Sequence, residues 1–233
     1  MKKMILVLLL AAITAGGAYA ADASFGLGGT FSVNFNIFSF NSDNTNLIPK
    51  NQIDMYNQNI AGGGFFAFAD MNYIMFSLGM GFFNAAPSNN EIKKTLDDLN
   101  TDYYLSCFQI ETYGKYPISL GKFTFFPMAG LDAKIILAAY SITDGKRTEY
   151  KEPESQEEDN VSIFDLSSIW IKFGAGADFP LSKKLYLRSM FLYGFGTLNR
   201  SQRNFQDSIN KTQESGFIIN HGLDVKLAIG FIP

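Results

Sequence analysis

Residues 122–137, KFTFFPMAGLDAKIIL, decide the fold of this chain. The odd positions of this stretch are all apolar, whereas the even positions include Asp132 and Lys134. Successive side chains of a β-strand point to opposite faces. One face of the strand can therefore lie against lipid while the other keeps its charges in a polar interior, which predicts a membrane-spanning β-barrel.

Eight segments of the chain alternate in this way, and the gaps between them are alternately long and short. Bacterial outer-membrane barrels have an even number of strands, short periplasmic turns and long external loops. The predicted fold class is therefore all-β, an eight-stranded antiparallel up-and-down transmembrane β-barrel. The segments are 24–38, 60–70, 73–83, 103–116, 122–140, 168–179, 185–197 and 217–231, and in the second one the phase of residues 60–66 is unclear.

The predicted lipid face carries no charge where the phase is clear. A Lys or Arg near the bilayer midplane of that face would cost about 2 to 4 kcal/mol. Aromatic residues are expected at the two membrane interfaces, with Tyr103, Tyr104, Tyr140 and Phe217 at the external one and Tyr73, Tyr116 and Phe231 at the periplasmic one. The lipid face includes Phe25, Leu27, Phe31, Val33 and Phe35, then Ile74, Phe76, Leu78, Met80 and Phe82, then Ile169, Ile171, Phe173, Ala175, Ala177 and Phe179, and finally Leu223, Val225, Leu227, Ile229 and Phe231.

The opposite, polar face carries the candidate site. A soluble barrel would have its apolar face inside, but its core would not tolerate many buried ions, so the ions favour a membrane barrel with a wet lumen. Acids and bases are equal in number, which favours a plug of ion pairs over a selective pore. Trp170, Met128 and Met190 share the polar face and favour the plug too, although they leave open a conduit for hydrophobic solutes. The predicted lumen network is Glu111, Asp132, Lys134, Lys172, Asp178, Arg188, Asp224 and Lys226.

The N-terminus indicates export. Residues 1–20 have the features of a secretory signal peptide, with Lys2 and Lys3 before an apolar run and a small-residue cleavage site at the end. Residues 21–233 are then expected to form a single outer-membrane β-barrel domain. Without the two lysines the 19 Lys and Arg become 17 against 22 Asp and Glu, a net charge of −5, which argues against a nucleic-acid partner. Cys107 is the only cysteine, so an internal disulfide is excluded.

Three long connections are the candidates for contact with partners. Residues 144–165 hold eight acids against three bases, which predicts a solvated, flexible loop and leaves Ca²⁺ binding as the alternative. Residues 89–100 have helical spacing and predict a short helix on the barrel rim. Residues 199–215, with Arg200, Arg203 and Lys211, are a second candidate surface, for anionic lipid or polysaccharide.

An enzyme is the least favoured class. His221 is the only histidine and by parity lies on the apolar face, with Ser201 and Ser208 in a loop, so it does not suggest a catalytic triad. The glycines of residues 26–29 lie within a strand and lack the helix that a phosphate-binding loop needs. The sequence thus predicts no catalytic residue, no metal site and no cofactor.

From its alternation, which runs from Phe25 to Phe231, the chain resembles the small eight-stranded outer-membrane barrels typified by OmpX, OmpW and the membrane domain of OmpA. The resemblance implies the outer membrane of a diderm bacterium, Sec-type export, and outer-membrane lipid and the assembly machinery as partners. Most members end in an aromatic residue, whereas Ile232 and Pro233 follow Phe231 here. The predicted function is a non-enzymatic barrel with a largely plugged lumen and surface loops for contact with partners or the envelope. The alternatives are an OmpW-like channel for small hydrophobic solutes and a lipid-modifying enzyme.

Overall fold

The computed structural model describes residues 23–40, 58–87, 101–149, 167–197 and 216–233. These residues form ten β-strands in a single sheet. Among them there is no helix that is long and apolar enough to cross a membrane. The long strands are β1 (Ser24–Phe40), β2 (Gln58–Asp70), β3 (Ile74–Pro87), β4 (Thr101–Lys115), β6 (Thr124–Thr143), β8 (Ser168–Pro180), β9 (Leu185–Gly196) and β10 (Gly216–Phe231), and the short ones are β5 (Ile118–Ser119) and β7 (Lys146–Glu149).

The eight long strands close into a barrel. Each long strand pairs antiparallel with the next long strand along the chain, so β4 pairs with β6. The first and last strands, β1 and β10, close the barrel by pairing from Phe25↔Phe231 to Phe40↔Gly216. A closed barrel leaves its long strands without free edges, because every backbone N–H and C=O can find a partner in the next strand. The predicted eight-stranded up-and-down barrel is therefore confirmed.

The short connections all lie at one end of the barrel, beside Ala23 and Pro233. They are residues 71–73, 116–123 and 181–184, and we call this end the turn end. Asn72 adopts a φ of 64° and Gly121 a φ of 76°, which suit these residue types in tight turns. The opposite end, where residues 41–57, 88–100, 150–166 and 198–215 connect the strands, is called the loop end.

The outer surface is apolar at the level of the strands. Leu27 is 70% exposed, Ile171 62% and Leu227 56%, as the alternation predicts for a face that touches lipid. The structure also assigns the second segment, whose phase the sequence left unclear, since Phe65 is exposed while Phe66 and Phe68 are buried. With charges buried and large apolar side chains exposed, the barrel has the surface of a membrane-spanning protein.

A β-bulge interrupts the alternation of β6. Ser106 pairs with Ala138 and Cys107 with Ile136, so Leu137 is an extra residue on β6. Beyond the bulge the phase of β6 reverses, because Ala139 is buried and Tyr140 lies opposite Tyr104 on the outer face. Strict alternation from residue 122 would have turned Tyr140 into the lumen.

Two short strands lie within connections that the sequence analysis left without structure. Ile118 and Ser119 form β5, which pairs with the start of β6. At the loop end β6 continues through Asp144 and Gly145 into β7. Both turn residues have positive φ, 50° and 76°, as a two-residue hairpin turn with Asp-Gly requires. The first part of the acidic segment 144–165 is therefore a hairpin, which corrects the expectation of a flexible loop there.

Several predictions lie outside the described residues. These are the signal peptide at 1–20, the helix at 89–100, the rest of the acidic segment beyond residue 149, and the candidate surface at 199–215. They stay predictions. The division into a signal peptide and one domain at 21–233 stays a prediction as well.

Candidate functional site

The lumen of the barrel holds the charged residues that the alternation places on the inner face. All eight predicted positions point inward, and seven of them are at most 5% exposed. The exception is Asp178, whose side chain is 18% exposed. The structure divides the charges into two groups: a mid-barrel cluster of Glu111, Asp132, Lys134, Lys172, Asp224 and Lys226, and a turn-side cluster of Asp70, Lys115, Asp178 and Arg188.

Lys172 lies at the centre of the mid-barrel cluster. Its Nζ is 2.5 Å from Asp132 Oδ2 and 3.9 Å from Glu111 Oε1, and it donates a hydrogen bond to Asp224. Glu111 and Asp132 are directly opposite each other across β4 and β6, an arrangement that is unfavourable for two carboxylates unless a cation lies between them. Lys172 supplies that cation from the neighbouring strand β8.

Lys226 completes the pairing of Glu111. Its Nζ donates to both carboxylate oxygens, with 2.5 Å to Oε2, and the Tyr113 hydroxyl donates to Oε1 at 3.3 Å. The three acids of the mid-barrel cluster face three lysines, so the cluster is neutral overall. Burying charges is costly unless they are paired and hydrogen-bonded. The cluster meets the requirement of pairing, while the two oxygens of Asp132 have the ion-pair contact with Lys172 but no hydrogen-bond partner among the described residues.

Lys134 differs from the other two lysines of its cluster. Within the described residues it forms no salt bridge. It donates to Asn34 Oδ1 at 3.4 Å and lies over the rings of Trp170, at 4.6 Å, and Phe83, at 5.5 Å. Cation–π contacts therefore take the place of a carboxylate at this ammonium, which is on the loop-end side of the cluster.

Arg188 organises the turn-side cluster. Its Nε and Nη2 donate to the two oxygens of Asp178, each at 2.7 Å, and Nη2 also donates to Asp70. Asp70 in turn accepts the ammonium of Lys115 at 3.1 Å. Two acids and two bases make this cluster neutral as well, and the planar guanidinium suits the two-oxygen contact with Asp178.

Asp70 and Lys115 are lumen residues that were not predicted from the sequence. Asp70 ends the second segment, whose phase was unclear, so it was assigned to neither face. The alternation could have predicted Lys115, because Lys115 and Glu111 are four residues apart on β4 and therefore point to the same face. Two-residue counting from Glu111 would have placed it inside the barrel.

Large side chains pack around both clusters. Arg188 lies 4.7 to 5.2 Å from the ring centroids of Phe68, Phe126 and Tyr186, and Lys226 lies 4.9 Å from that of Phe66. On β4, Tyr113 stands between Lys115 and Glu111 and is fully buried. The interior is thus occupied by rings and ion pairs together, and it forms a packed core at the level of the two clusters.

Inward glycines make room for these large side chains. A Cβ on Gly176 would lie 2.5 Å from Phe126 Cε2, and one on Gly196 would lie 2.6 Å from Trp170 Cε2. The rings therefore lie across glycines of the neighbouring strand, where any side chain would clash. This pairing lets an eight-stranded barrel accept residues as large as Phe and Trp inside.

The three carboxylates of the mid-barrel cluster are also the described group with metal-ligand geometry. One oxygen each from Glu111, Asp132 and Asp224 lies within 4.8 Å of the others. The ammonium of Lys172, however, contacts all three. It supplies the positive charge that a cation would otherwise bring, so the arrangement is explained as an ion-pair cluster.

His221 lies on the outer face near the loop end. Its Nδ1 is 3.1 Å from the Tyr193 hydroxyl, and its ring stacks on Phe35 with 5.3 Å between centroids. Within the described part of the chain it has no serine or carboxylate partner. Ser201 and Ser208, which the sequence analysis considered beside it, lie outside the described residues.

No protein-family model matches the chain, and no curated protein sequence matches it. Among solved structures, Neisserial surface protein A has a TM-score of 0.47 at 10% identity, over 90% of this chain and 97% of that one. A major outer membrane protein from Thermus thermophilus has a TM-score of 0.46 at 12% identity, over 90% and 98%. Ail of Yersinia pestis, in complex with a heparin analogue, has a TM-score of 0.39 at 8% identity, over 90% and 97%.

The chain is thus similar to several small outer-membrane barrels at very low sequence identity. Its own strand register establishes the closed barrel of eight long antiparallel strands. Together with the apolar outer surface and the charged interior, this is the fold of an outer-membrane β-barrel.

Proposed function

We propose that this chain is a non-enzymatic outer-membrane β-barrel with a plugged lumen, which acts through the segments at its loop end. It would reach the outer membrane of a diderm bacterium after Sec-type export and be inserted by the assembly machinery. The observation that carries the proposal is the packed interior, in which two neutral clusters of ion pairs are interleaved with buried rings. A packed interior suits a scaffold better than a channel.

Conductance tests the plugged lumen. The folded protein is reconstituted in a planar lipid bilayer, and currents are recorded over a range of salt concentrations, with a known porin as the positive control. We expect stable insertion without conductance steps. Reproducible steps that change when Lys172 is replaced by Met would overturn the plug and favour the pore, because Lys172 lies at the centre of the mid-barrel cluster.

The loop-end contacts need a separate test, because most of the loop residues lie outside the described part. The acidic segment is the strongest candidate for a partner surface, since its charge equals the net charge of the predicted mature chain. Deleting residues 150–159, which follow β7, is expected to reduce binding to cells or matrix. Deleting residues 44–53, in the loop-end connection for which no contact is predicted, is the matched control of equal length. Equal binding by both deletion variants and the intact protein would contradict a role for the acidic segment.

The non-enzymatic part of the proposal rests on the surroundings of His221. A histidine held between Tyr193 and Phe35 on the lipid face has the position of an interfacial anchor. We expect His221→Ala to leave lipid turnover unchanged in cells that make the protein. A loss of lipid turnover in this variant, with the barrel still folded, would contradict the proposal and favour the lipid-modifying enzyme.

A further inference from the structure

The turn end carries a basic surface on one side of the barrel. It is formed by the turn between β5 and β6, the turn between β8 and β9, and the residues after β10. Phe123 and Phe179 stack with 5.5 Å between ring centroids, which places the first two segments side by side. Ile232 N donates to the Lys184 carbonyl at 2.9 Å, which holds the third segment beside the second. We call this surface the basic rim, and its exposed side chains are Leu120, Lys122, Leu181, Lys183, Lys184 and Ile232.

The basic rim has positive charges without acids beside them. Lys122, Lys183 and Lys184 are exposed, and within the described part of the chain none of them forms a salt bridge. The nearest described acids along the strands, Asp70 and Asp178, belong to the turn-side cluster inside the barrel. Three lysines thus lie together on a chain whose net charge is −3, and the rim attracts anions.

Apolar side chains lie between the lysines of the rim. Leu120 is 52% exposed, Leu181 62% and Ile232 45%. They continue the lipid-facing surface, since Leu185 and Phe231 at the ends of β9 and β10 are also exposed, at 40% and 43%. A surface that is continuous with the lipid face lies at the boundary between acyl chains and headgroups. The rim therefore faces the bilayer interface.

Lysines at this level can use both of their parts. The aliphatic stem packs along apolar surface while the ammonium reaches the headgroups. Lys184 already lies in this way, with its Nζ 5.7 Å from the centroid of the Phe231 ring. Lysines close to a membrane surface attract anionic headgroups. The chemistry that complements the rim is therefore a headgroup with a net negative charge on a lipid with acyl chains.

We propose that the basic rim binds anionic phospholipid, of the phosphatidylglycerol class, in the leaflet at the turn end. The phosphodiester would lie at the ammonium groups of Lys122, Lys183 and Lys184, and the acyl chains would lie against Leu181 and Ile232. A zwitterionic headgroup brings its own cation and gains less from three lysines, which gives the selectivity. The proposal rests on the membrane placement in the proposed function, but it depends neither on the plugged lumen nor on the loop-end contacts.

Tryptophan quenching tests the proposal at the rim itself. Trp170, the only tryptophan, is replaced by Phe, and Leu181→Trp places a new reporter in the rim. The protein is folded into vesicles that mix phosphatidylglycerol with phosphatidylcholine, and one of the two lipids is brominated on its acyl chains. We expect phosphatidylglycerol to associate about tenfold or more tightly than phosphatidylcholine, and about 1 M NaCl to lower this preference. Quenching by both lipids in proportion to their mole fractions would overturn the proposal.

A second reporter and matched variants locate the preference. Phe195→Trp, again with Trp170→Phe, places the reporter on the outer face near the loop end, where we expect no preference. Replacing the three rim lysines by Met should remove the preference at the rim, whereas replacing them by Arg should keep it. If the triple Met variant does not fold, Lys183→Met alone should weaken the preference about two- to fivefold, and Lys146→Met at the loop end should not change it. An equal preference at both reporters would exclude the rim.

The cell wall is the other anionic partner that a basic surface at this end could meet. The folded protein and the triple Met variant are therefore also sedimented with purified peptidoglycan. We expect equally little of the two proteins in the pellet. Sedimentation of the unaltered protein alone, together with quenching that follows the mole fractions, would assign the rim to the cell wall and contradict the lipid proposal. Conductance of the unaltered barrel would contradict the plugged lumen and leave this result as it is.

Discussion

Tyr140 stacks on Tyr104 across β4 and β6, with 5.1 Å between ring centroids and 17° between ring planes. The pair lies on the outer face because the extra residue Leu137 reverses the phase of β6 just before it. Arg147 of the β7 hairpin then lies 4.0 Å above the Tyr140 ring. A bulge in one strand thus positions an aromatic and cationic group at the loop-end interface, where tyrosine is favoured in membrane proteins.

The tyrosine pair is expected to contribute coupling energy to the fold. Tyr104→Ala and Tyr140→Ala should each destabilise the barrel, and the double variant should lose less than the sum of the two. The coupling should be about 0.5 to 1.5 kcal/mol, the range of aromatic pairs. Denaturant unfolding from lipid vesicles, followed by Trp170 fluorescence, measures it. Additive losses would show that the two rings act independently.

Removing the central lysine of the mid-barrel cluster should be costly. Lys172→Met leaves Asp132 and Asp224 without the ammonium that contacts both, and breaking a buried ion pair on one side costs about 3 to 5 kcal/mol. Lys183→Met at the turn end removes the same charge from an exposed site, where a change within about 0.5 kcal/mol is expected. Equal stabilities of the two variants in a denaturant titration would contradict the cluster.

Arg188 is not expected to tolerate a conservative replacement. Lysine cannot donate from two nitrogens to both oxygens of Asp178, and it would leave a buried acceptor of Asp70 or Asp178 unpaired. We expect Arg188→Lys to lower the free energy of unfolding by about 1 to 3 kcal/mol. Lys115→Arg keeps a cation beside Asp70 and is the companion variant, with a smaller expected loss. Equally small losses in Arg188→Lys and Lys115→Arg would mean that charge alone, and not the fork geometry, matters here.

At the glycines beneath the inner rings, even a substitution by alanine should destabilise the barrel. In Gly176→Ala the new Cβ would press on Phe126, and overpacking of this kind costs about 1 to 3 kcal/mol. Gly114→Ala is the control, because the nearest atom to its Cβ is 3.8 Å away. Adding Phe126→Leu to Gly176→Ala should recover part of the loss. If Gly114→Ala and Gly176→Ala unfold at the same denaturant concentration, Gly176 is not needed to make room for the Phe126 ring.

The cost of placing a charge on the outer surface distinguishes a membrane barrel from a soluble one. Leu131→Lys, at a site 55% exposed in the middle of β6, should cost about 2 to 4 kcal/mol in lipid because it places a charge against acyl chains. Leu120→Lys, at a site 52% exposed in a turn, should be nearly neutral. Stability and insertion into vesicles are measured for both. A soluble barrel would tolerate the two substitutions equally well.

Much of the fold was accessible from the sequence because a β-strand has a fixed two-residue period. That period placed Lys172, Arg188 and Asp224 in the interior, and the apolar residues opposite them on the surface. It failed where another constraint dominated. Glycines hid the phase of β2, so Asp70 was not assigned to the lumen. A bulge at Leu137 changed the phase of β6 without any signal in composition.

What the sequence determined by itself is the side of the wall on which each residue lies, because that depends only on the alternation along one strand. Only the tertiary structure decided which charges meet, since Arg188 and Asp70 are 118 residues apart and come together through closure of the barrel. The same holds for the closing register, in which Phe25 of β1 lies opposite Phe231 of β10. Strand offsets of this kind are set by the pairing of whole strands around the barrel and leave no local mark on the sequence.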